Sequence, residues 1–600
     1  MQLSDFAESP NLVALFLQRA DAMGDKPLLV AKREGQWVET SWREAAAQVC
    51  LLAESLRAIG LTPGERVMIV AENRPEWCIA DLAIMAAGCV TVPAYTTNTA
   101  RDHLHVLGNS GARAAIVSTA KLAAPLLDAA VQGGTCRDIV AMEPLHSGQA
   151  AIAVHDWHAL VEGDAPAARA AVDARIAGIG RSDLACLIYT SGTGGLPRGV
   201  RQHHGMILSN IADAARIISE DFGWSADERL LSFLPLSHAY EHTAGQFLPI
   251  GLGAAIHYAE GLEKLAANIE EVGPTVMVVV PRLFEVLRAR IVKQAGKQGG
   301  AAARLMDLAV GLAGRRAAGR SGLADRAIDL LLEVTLRPKI RRKFGGRLKA
   351  LVSGGAPLNP EVGSFFQAIG LTLLQGYGQT EAGPVISVNR PSAGIAMDTV
   401  GPPMAGVTVR IAQDGEICVR GEQVMHGYWD DEAASAAVLQ DGWLLTGDIG
   451  EIDARDRIRI TDRKKDMIVN DKGDNVSPQR IESMLTLQPE IAQAMVSGDR
   501  RPHLVALLVP DHEWAAEWAR ARGKPVALDS LQRDTDFRAA VRAGVDRVNT
   551  GLSVIEKVRQ FAFADEPFAI ENEELTPSLK IRRHKIRARY GDRLDALYRG

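Results

Sequence analysis

The chain reads as an α/β protein: a large N-terminal domain of stacked, mostly parallel sheets covered by helices, a small β-rich lobe, and a small α+β domain at the end. Three observations predict this. Short Val/Ile-rich runs alternate with helical stretches over the first 350 residues, short strands and turns take over after Val400, and strands and helices interleave again from about Lys464. Buried strands without polar alternation, separated by helices, are what a parallel sheet covered on both faces requires. A length of 600 residues leaves room for about three to five structural units.

The elements follow in order. "SWREAAAQVCLLAESLRAIGL" from Ser41 is an amphipathic helix, "RVMIVAE" a buried strand, and "WCIADLAIMAAGCVTVPAY" a helix then a strand. The same alternation returns at "AAIVST", "LACLIYTS", "ERLLSFLPL", "AAIHYAE", "TVMVVVP" and "LKALVSGGAP". Between Arg282 and Arg347 lies a mostly helical stretch in which basic residues outnumber acidic ones roughly three to one. It reads first as a solvated helical hairpin, and second as a surface attracting anionic lipid or a phosphate-rich ligand. "GVTVRIAQDGEICVRG" and "GWLLTGDIGEIDARDRIRITDR" make the β-rich lobe, with Asp462 to Lys465 as a charged linker. Beyond it come the strands "DMIVN" and "LVALLVP" and the helices "SPQRIESMLTLQPEI" and "DSLQRDTDFRAAVRAGVDRVN".

Bulk properties exclude several classes. The formal charge of −5 gives no basic signature for nucleic acid. Six cysteines without a CxxC pair read as reduced core thiols of a cytoplasmic protein rather than disulfides or zinc ligands. The N-terminus has no signal-peptide pattern, and no apolar run approaches a membrane span, so membrane contact would be peripheral.

The chemistry starts at "LIYTSGTGGLPRGV", Leu187 to Val200. Glycines, hydroxyls and one cation at the end of a strand suit an anion, because successive N–H groups converge where no Cβ intervenes. Gly194 and Gly199 have the spacing of a nucleotide-kinase loop, but Val200 and Arg201 stand where Lys and Ser/Thr belong. "SGGAPL" from Ser353, "GYGQTEAG" from Gly376 and "GWLLTGDIG" from Gly442 are weak alone, each also readable as a structural turn. His238 to His242 spells H-x-x-E-H, a zinc-peptidase pattern. No third ligand accompanies it, which weighs against zinc.

The ordered set of these segments resembles the acyl-adenylate-forming enzymes. "GCVTVPAYTTNT", "PTVMVVVPRLFEVL", "GYWDDEAASAAVLQDGWLLTGDIGEID" and "ENEELTPSLKIRR" are similar to AMP-forming long-chain fatty acid–CoA ligases in particular. The resemblance implies an N-terminal domain over 1–462, with the basic insertion at about 285–345 and the β-rich lobe at about 400–460, and a mobile C-terminal domain over 463–600. It implies that Thr190, Ser191, Gly192, Thr193, Gly194, Gly195 and Arg198 hold the ATP phosphates. Gly194 and Arg198 depart from the usual hydroxyl and lysine.

By the same resemblance Gly354, Gly355, Ala356, Pro357, Tyr377 and Gly378 form the adenine site. Thr380 contacts the α-phosphate, Glu381 holds Mg²⁺, and Asp448 with Arg463 reads the ribose. His238 lines the acyl-carboxylate region, Lys580 is the catalytic lysine and Lys465 the hinge. The implied reaction makes acyl-AMP from a fatty acid and ATP, then acyl-CoA with coenzyme A. Alternatives are an acyl-AMP ligase loading a separate acyl carrier protein, a synthetase for a non-fatty carboxylate, and a non-catalytic sensor. No nucleic-acid partner is expected, a monomer and a homodimer stay open, and the location is cytoplasmic or peripheral at the inner membrane face.

Overall fold

The computed structural model describes residues 4–146, 151–190, 196–225, 227–317, 320, 322–576 and 581–599. Two large sheets dominate. The first has eight strands in the order Val385–Val388, Leu373–Gly378, Ala350–Ser353, Val276–Val279, Arg229–Ser232, Ala255–Tyr258, Pro27–Arg33, Gln36–Ser41. Its interior pairs are parallel, and only the strand at each end runs antiparallel. The second has seven strands, from Ala153–Asp156 at one edge to Arg198–His203 at the other, parallel except for that last pairing.

Local chemistry explains the alternation. Strands such as Ala114–Val117 and Val276–Val279 are buried at every position, which a parallel strand between helices demands. The helix Trp42–Ala58 starts with a capping box, Ser41 accepting from the Glu44 N–H while Glu44 returns to the Ser41 N–H. Trp77, Leu82 and Ile84 of Pro75–Ala86 lie fully inside the core shared by the helices around both sheets.

The β-rich lobe is a five-stranded antiparallel sheet built from Thr408–Ile411, Glu416–Arg420, Leu439–Gln440, Trp443–Ile452 and Ile458–Arg463. Past it, a short hairpin (Ile468–Val469 with Asn475–Val476) precedes a three-stranded sheet of Ile491–Ser497, Leu504–Pro510 and Val558–Phe563. Helices Pro478–Leu485, His512–Arg520 and Thr535–Thr550 cover one face around Phe537.

Three readings of the sequence need correction. The basic stretch is four helices, Pro281–Gln298, Gly300–Ala317, Leu323–Thr335 and Arg337–Lys343, not a solvated hairpin. Phe284, Met306, Leu312 and Leu332 are buried in one cluster with Phe365 and Phe366. Asp462 and Arg463 are not linker: they end a strand whose register pairs Arg463 with Asp448. The helix expected through Ile491 stops at Leu485, and Ile491 opens a strand. Pro489 lies between, and a proline disfavours helical backbone in the residue before it.

Candidate active site

The site segments lie where strands of the large sheets end, the edge at which open α/β sheets bind ligands. Gly354 follows Ala350–Ser353, and Tyr377 with Gly378 closes the neighbouring strand Leu373–Gly378. Gly355 adopts φ +81°, a left-handed backbone that favours glycine. A Cβ on Gly354 would come within 2.9 Å of the Tyr240 ring. Tyr240 in turn donates its hydroxyl to the Val352 carbonyl at 2.9 Å. The "SGGAP" turn is thereby locked to the "LPLSHAYEH" segment.

In that segment His238 caps a short helix, its Nδ1 accepting from the Tyr240 N–H at 3.2 Å. His242 begins a π-helix, His242–Phe247, the wider winding that recurs at functional sites. Its Nε2 meets Asp81 Oδ2 at 2.8 Å, both side chains fully buried, and Gln246 donates to the same oxygen at 2.7 Å. His242 is thus engaged by a carboxylate of another helix, and among the described residues no group of three or more His, Cys, Asp or Glu is arranged to hold a metal.

Glu241, between the two histidines, is buried, and burial pushes its carboxyl from 4.5 up to about 8, against weaker help from Ser232 and the Phe233 backbone. A raised acid pKa means that the folded state holds a proton the unfolded chain has released. Stability is therefore greatest below pH 4.5 from this group and falls as pH rises to about 8. In Glu241→Gln that part of the decline between pH 5 and 8 is expected to disappear, read by urea unfolding at several pH values.

The segment expected at the phosphates flanks the hairpin of Leu184–Thr190 with Arg198–His203, in which Thr190 faces Arg198. Ser191, Gly192, Thr193, Gly194 and Gly195 lie outside the described residues, as does Lys580. Gln202 donates to the Thr380 carbonyl at 2.8 Å, which fixes the short helix Thr380–Ala382 beside this hairpin. Glu381 accepts from the Tyr428 hydroxyl at 2.9 Å. Tyr428 also lies under the Arg198 guanidinium, 5.5 Å from ring centre to Cζ, while Arg198 Nε stands 3.1 Å from Asp431. Burial first, and the Glu381 charge second, push the Tyr428 phenol upward, so it stays a donor. Thr190, Arg198, Thr380 and Glu381 are one connected cluster.

Asp448 and Arg463, expected at the ribose, belong to a second cluster. Buried Asp448 accepts from Tyr377 at 2.6 Å and from Arg463 Nε at 3.1 Å. Its own N–H donates to Thr446 Oγ1 at 3.1 Å, within the strand Trp443–Ile452 rather than in the turn that the "TGD" sequence suggests. Tyr377 is pushed upward by burial and then by Asp448, so its hydroxyl donates too. Burial works against the Arg463 charge, but Asp448 outweighs it and raises the group. Lys465 follows two residues later; neighbouring Lys464 is held by Asp414 at 2.7 Å and Glu416 at 2.9 Å.

The profile of the AMP-binding enzymes matches residues 16–429, and that of the AMP-binding enzyme C-terminal domain matches 465–600. The chain belongs to the AMP-binding enzyme family. It is 32% identical over 595 residues to the long-chain-fatty-acid–CoA ligase FadD15 of Mycobacterium tuberculosis, covering 98% of this chain and 97% of that one. To the human long-chain-fatty-acid–CoA ligase 1 it is 30% identical over 569 residues, 89% of this chain and 78% of the relative. The adenylation domain of a carboxylic acid reductase from Segniliparus rugosus, solved with AMP and a co-purified carboxylic acid, superposes with a TM-score of 0.77 at 20% identity, covering 98% and 94% of the two chains. An O-succinylbenzoate–CoA synthetase of Bacillus subtilis, solved with ATP and magnesium, gives 0.67 at 21%, covering 96% and 99%. Both share this fold: a large α/β part followed by a small C-terminal one.

Three side chains escaped the sequence reading. Tyr428 and Asp431 sit in the quoted "GYWDDE" segment without a role assigned, and Asp81 is an acid inside a helix that is apolar beyond Glu76 in its first turn. That last kind of residue is the legible signal: an acid that must be buried needs a partner.

Proposed function

We infer that the protein is an AMP-forming ligase that activates a fatty acid with ATP and transfers it to coenzyme A. The observation that carries this is a pair of polar clusters, Thr380–Glu381–Tyr428–Arg198 and Tyr377–Asp448–Arg463, joined by the segment from Tyr377 to Glu381 at the end of a large-sheet strand, in a fold belonging to AMP-binding enzymes. The named ligase relatives supply the substrate class.

The Glu381 carboxylate is a hard oxygen donor that fits Mg²⁺ shared with nucleotide phosphates, and Thr380 beside it would contact the α-phosphate. When bound, Mg²⁺ supplies charge neutralisation on those phosphates. Tyr428 orients the Glu381 carboxylate through its hydroxyl. Asp448 offers an acceptor for sugar hydroxyls, and Arg463 steadies it. The fatty carboxylate attacks the α-phosphorus and expels pyrophosphate; the thiol then attacks the acyl carbon and expels AMP. In this reading residues 1–462, together with Arg463 on the last strand of the lobe, hold ATP and acid, and the residues after it form a mobile domain turning about Lys465. Glu381→Gln is expected to lower the acyl-AMP formation rate by about 100-fold, measured by pyrophosphate exchange into ATP.

The deciding experiment is AMP release with coenzyme A across carboxylates from acetate to oleate. Long chains should be turned over fastest; a maximum on short or aromatic acids refutes the chain-length assignment. Formation of acyl-CoA with no carrier protein present separates this reading from the carrier-loading alternative.

A second reading concerns location. The six cysteines are free and buried, which suits a reducing cytoplasm, and among the described residues no helix is long and apolar enough to cross a membrane. The helix Leu323–Thr335 nevertheless turns Leu323, Leu330, Leu331 and Val334 outward, 82%, 67%, 43% and 68% exposed. Their spacing of seven, one and three residues lines one helical face. Residues 282–347 hold sixteen basic against five acidic side chains. An apolar face within a cationic surface fits peripheral contact with an anionic bilayer. Leu330→Glu with Val334→Glu is expected to cut co-sedimentation with phosphatidylglycerol-containing vesicles by about tenfold or more, with turnover of a water-soluble short-chain acid unchanged.

A further inference from the structure

The three-stranded sheet ends in the edge strand Val558–Phe563, and the helix Thr535–Thr550 runs beside it. Between them lies a groove of about 730 Å³ whose lining includes His503, Thr535, Arg538, Arg542, Arg559 and Phe561 and no carboxylate. Arg538 and Arg542 are four residues apart and so share a helical face. Each spends one nitrogen on the strand edge, Arg538 Nη2 donating to the Phe561 carbonyl and Arg542 Nη2 to that of Arg559, both at 2.6 Å. Phe561 lies under both guanidiniums, 4.8 and 5.8 Å from its ring centre.

What remains of these groups is not compensated. Arg542 Nη1 and His503 Nε2 are buried atoms with no hydrogen-bond partner. Among the described residues Arg538 and Arg559 have no acidic partner, and the carboxylate paired with Arg542, that of Asp546, stands 3.9 Å off. Burial and then the Arg542 charge lower Arg538; burial and then Arg559 lower His503. Like charges held together without an anion cost stability.

Backbone geometry adds an independent sign. Leu504 pairs with Val558 but Val505 with Gln560, which makes Arg559 the extra residue of a bulge. Bulges re-aim a side chain, and they gather beside functional sites. A structural role, covering the exposed strand edge, explains the two Nη2 bonds. It explains neither the bulge at Arg559 nor the unpartnered Nη1.

We propose that this groove is a binding site for a phosphate-bearing ligand, whose oxygens Arg542 Nη1 and the Arg559 guanidinium take up with Arg538 and His503 beside them. Planar guanidinium forks match phosphate oxygens two at a time. Two soluble sources carry that chemistry: the 3′-phosphoadenosine diphosphate end of coenzyme A, and inorganic pyrophosphate. The groove shares no residue with the adenylation clusters, so its failure would leave the ligase reading intact.

The test is hydrogen exchange on the full-length protein with 3′,5′-ADP in one arm and pyrophosphate in the other, read locally at 535–545 and 558–563 so that binding in the ATP site does not interfere. Both peptides should gain protection with at least one probe. In Arg542→Gln/Arg559→Gln the half-saturating concentration should rise about tenfold or more, while pyrophosphate exchange into ATP stays at the wild-type rate. Protection by 3′,5′-ADP alone assigns the site to coenzyme A; equal protection by pyrophosphate assigns it to phosphate as such. No protection in the wild type, or protection that survives the substitutions, overturns the proposal. Arg559→Gln alone, at an exposed position, carries the comparison should the double variant fail to accumulate.

Discussion

Replacing Lys580 by alanine is expected to lower acyl-AMP formation by about 10³-fold while leaving attack of coenzyme A on supplied acyl-AMP within a few-fold of wild type. The effect is electrostatic. When a carboxylate attacks the α-phosphorus, negative charge spreads over oxygens between nucleophile and leaving group. A single placed cation in a water-poor site stabilises that charge far more than it does the separated substrates. Thiol attack on the acyl carbon has a different charge distribution and does not call on the same cation. Lys580 itself is outside the described residues, but the chain on either side is anchored. Leu575 forms an isolated bridge with Ile581, and the Arg582 N–H donates to the Glu574 carbonyl at 2.8 Å. Arg583 then binds Glu482 inside the C-terminal part. Separate assays of pyrophosphate exchange and acyl-AMP thiolysis decide it: equal losses in both would remove Lys580 from the adenylation step.

The second large effect is on stability. His242→Ala is expected to cost about 3–5 kcal/mol, because it leaves the Asp81 carboxylate inside the protein without its main partner. Asp81, His242 and Gln246 are all fully inaccessible to solvent, and the Trp77 and Phe247 rings flank the imidazole at 5.7 and 4.9 Å between centres. Water cannot replace the lost bond without opening that packing. Asp81→Asn in the same background should recover much of the loss, since an amide needs no counter-charge. The check is the urea midpoint of the N-terminal transition in the single and double variants; additive losses would show that the two groups do not act as a pair.

How far these features could be read from the sequence varies with their physics. The parallel sheets were legible because a strand buried on both faces must be apolar throughout, as in "TVMVVVP". Asp448, Glu381 and Tyr377 were legible as motif members, and the partners that make them a site partly so: Arg463 was named, Tyr428 was not. The bond from Tyr428 to Glu381 spans 47 residues of chain, and nothing in local pattern announces it. The same holds for Asp81 and His242, 161 residues apart. The inner side of the basic stretch is hard to read for another reason: charges outnumber the few large apolar residues, Phe284, Leu312 and Leu332, that bury it. The strand role of Asp462 and Arg463 was hidden because charged residues at a strand end look the same as a linker until their partner is known.

The four basic helices carry a further consequence. Their segment bears a formal charge of +11 in a chain whose total is −5, so the remaining residues sum to −16 and the charge is divided unevenly between this segment and the rest. Such a particle experiences a torque before it touches anything. Near an anionic surface it is rotated helices first, within roughly a Debye length of ~8–10 Å. Its arrival rate there should respond to ionic strength much more than its net charge suggests.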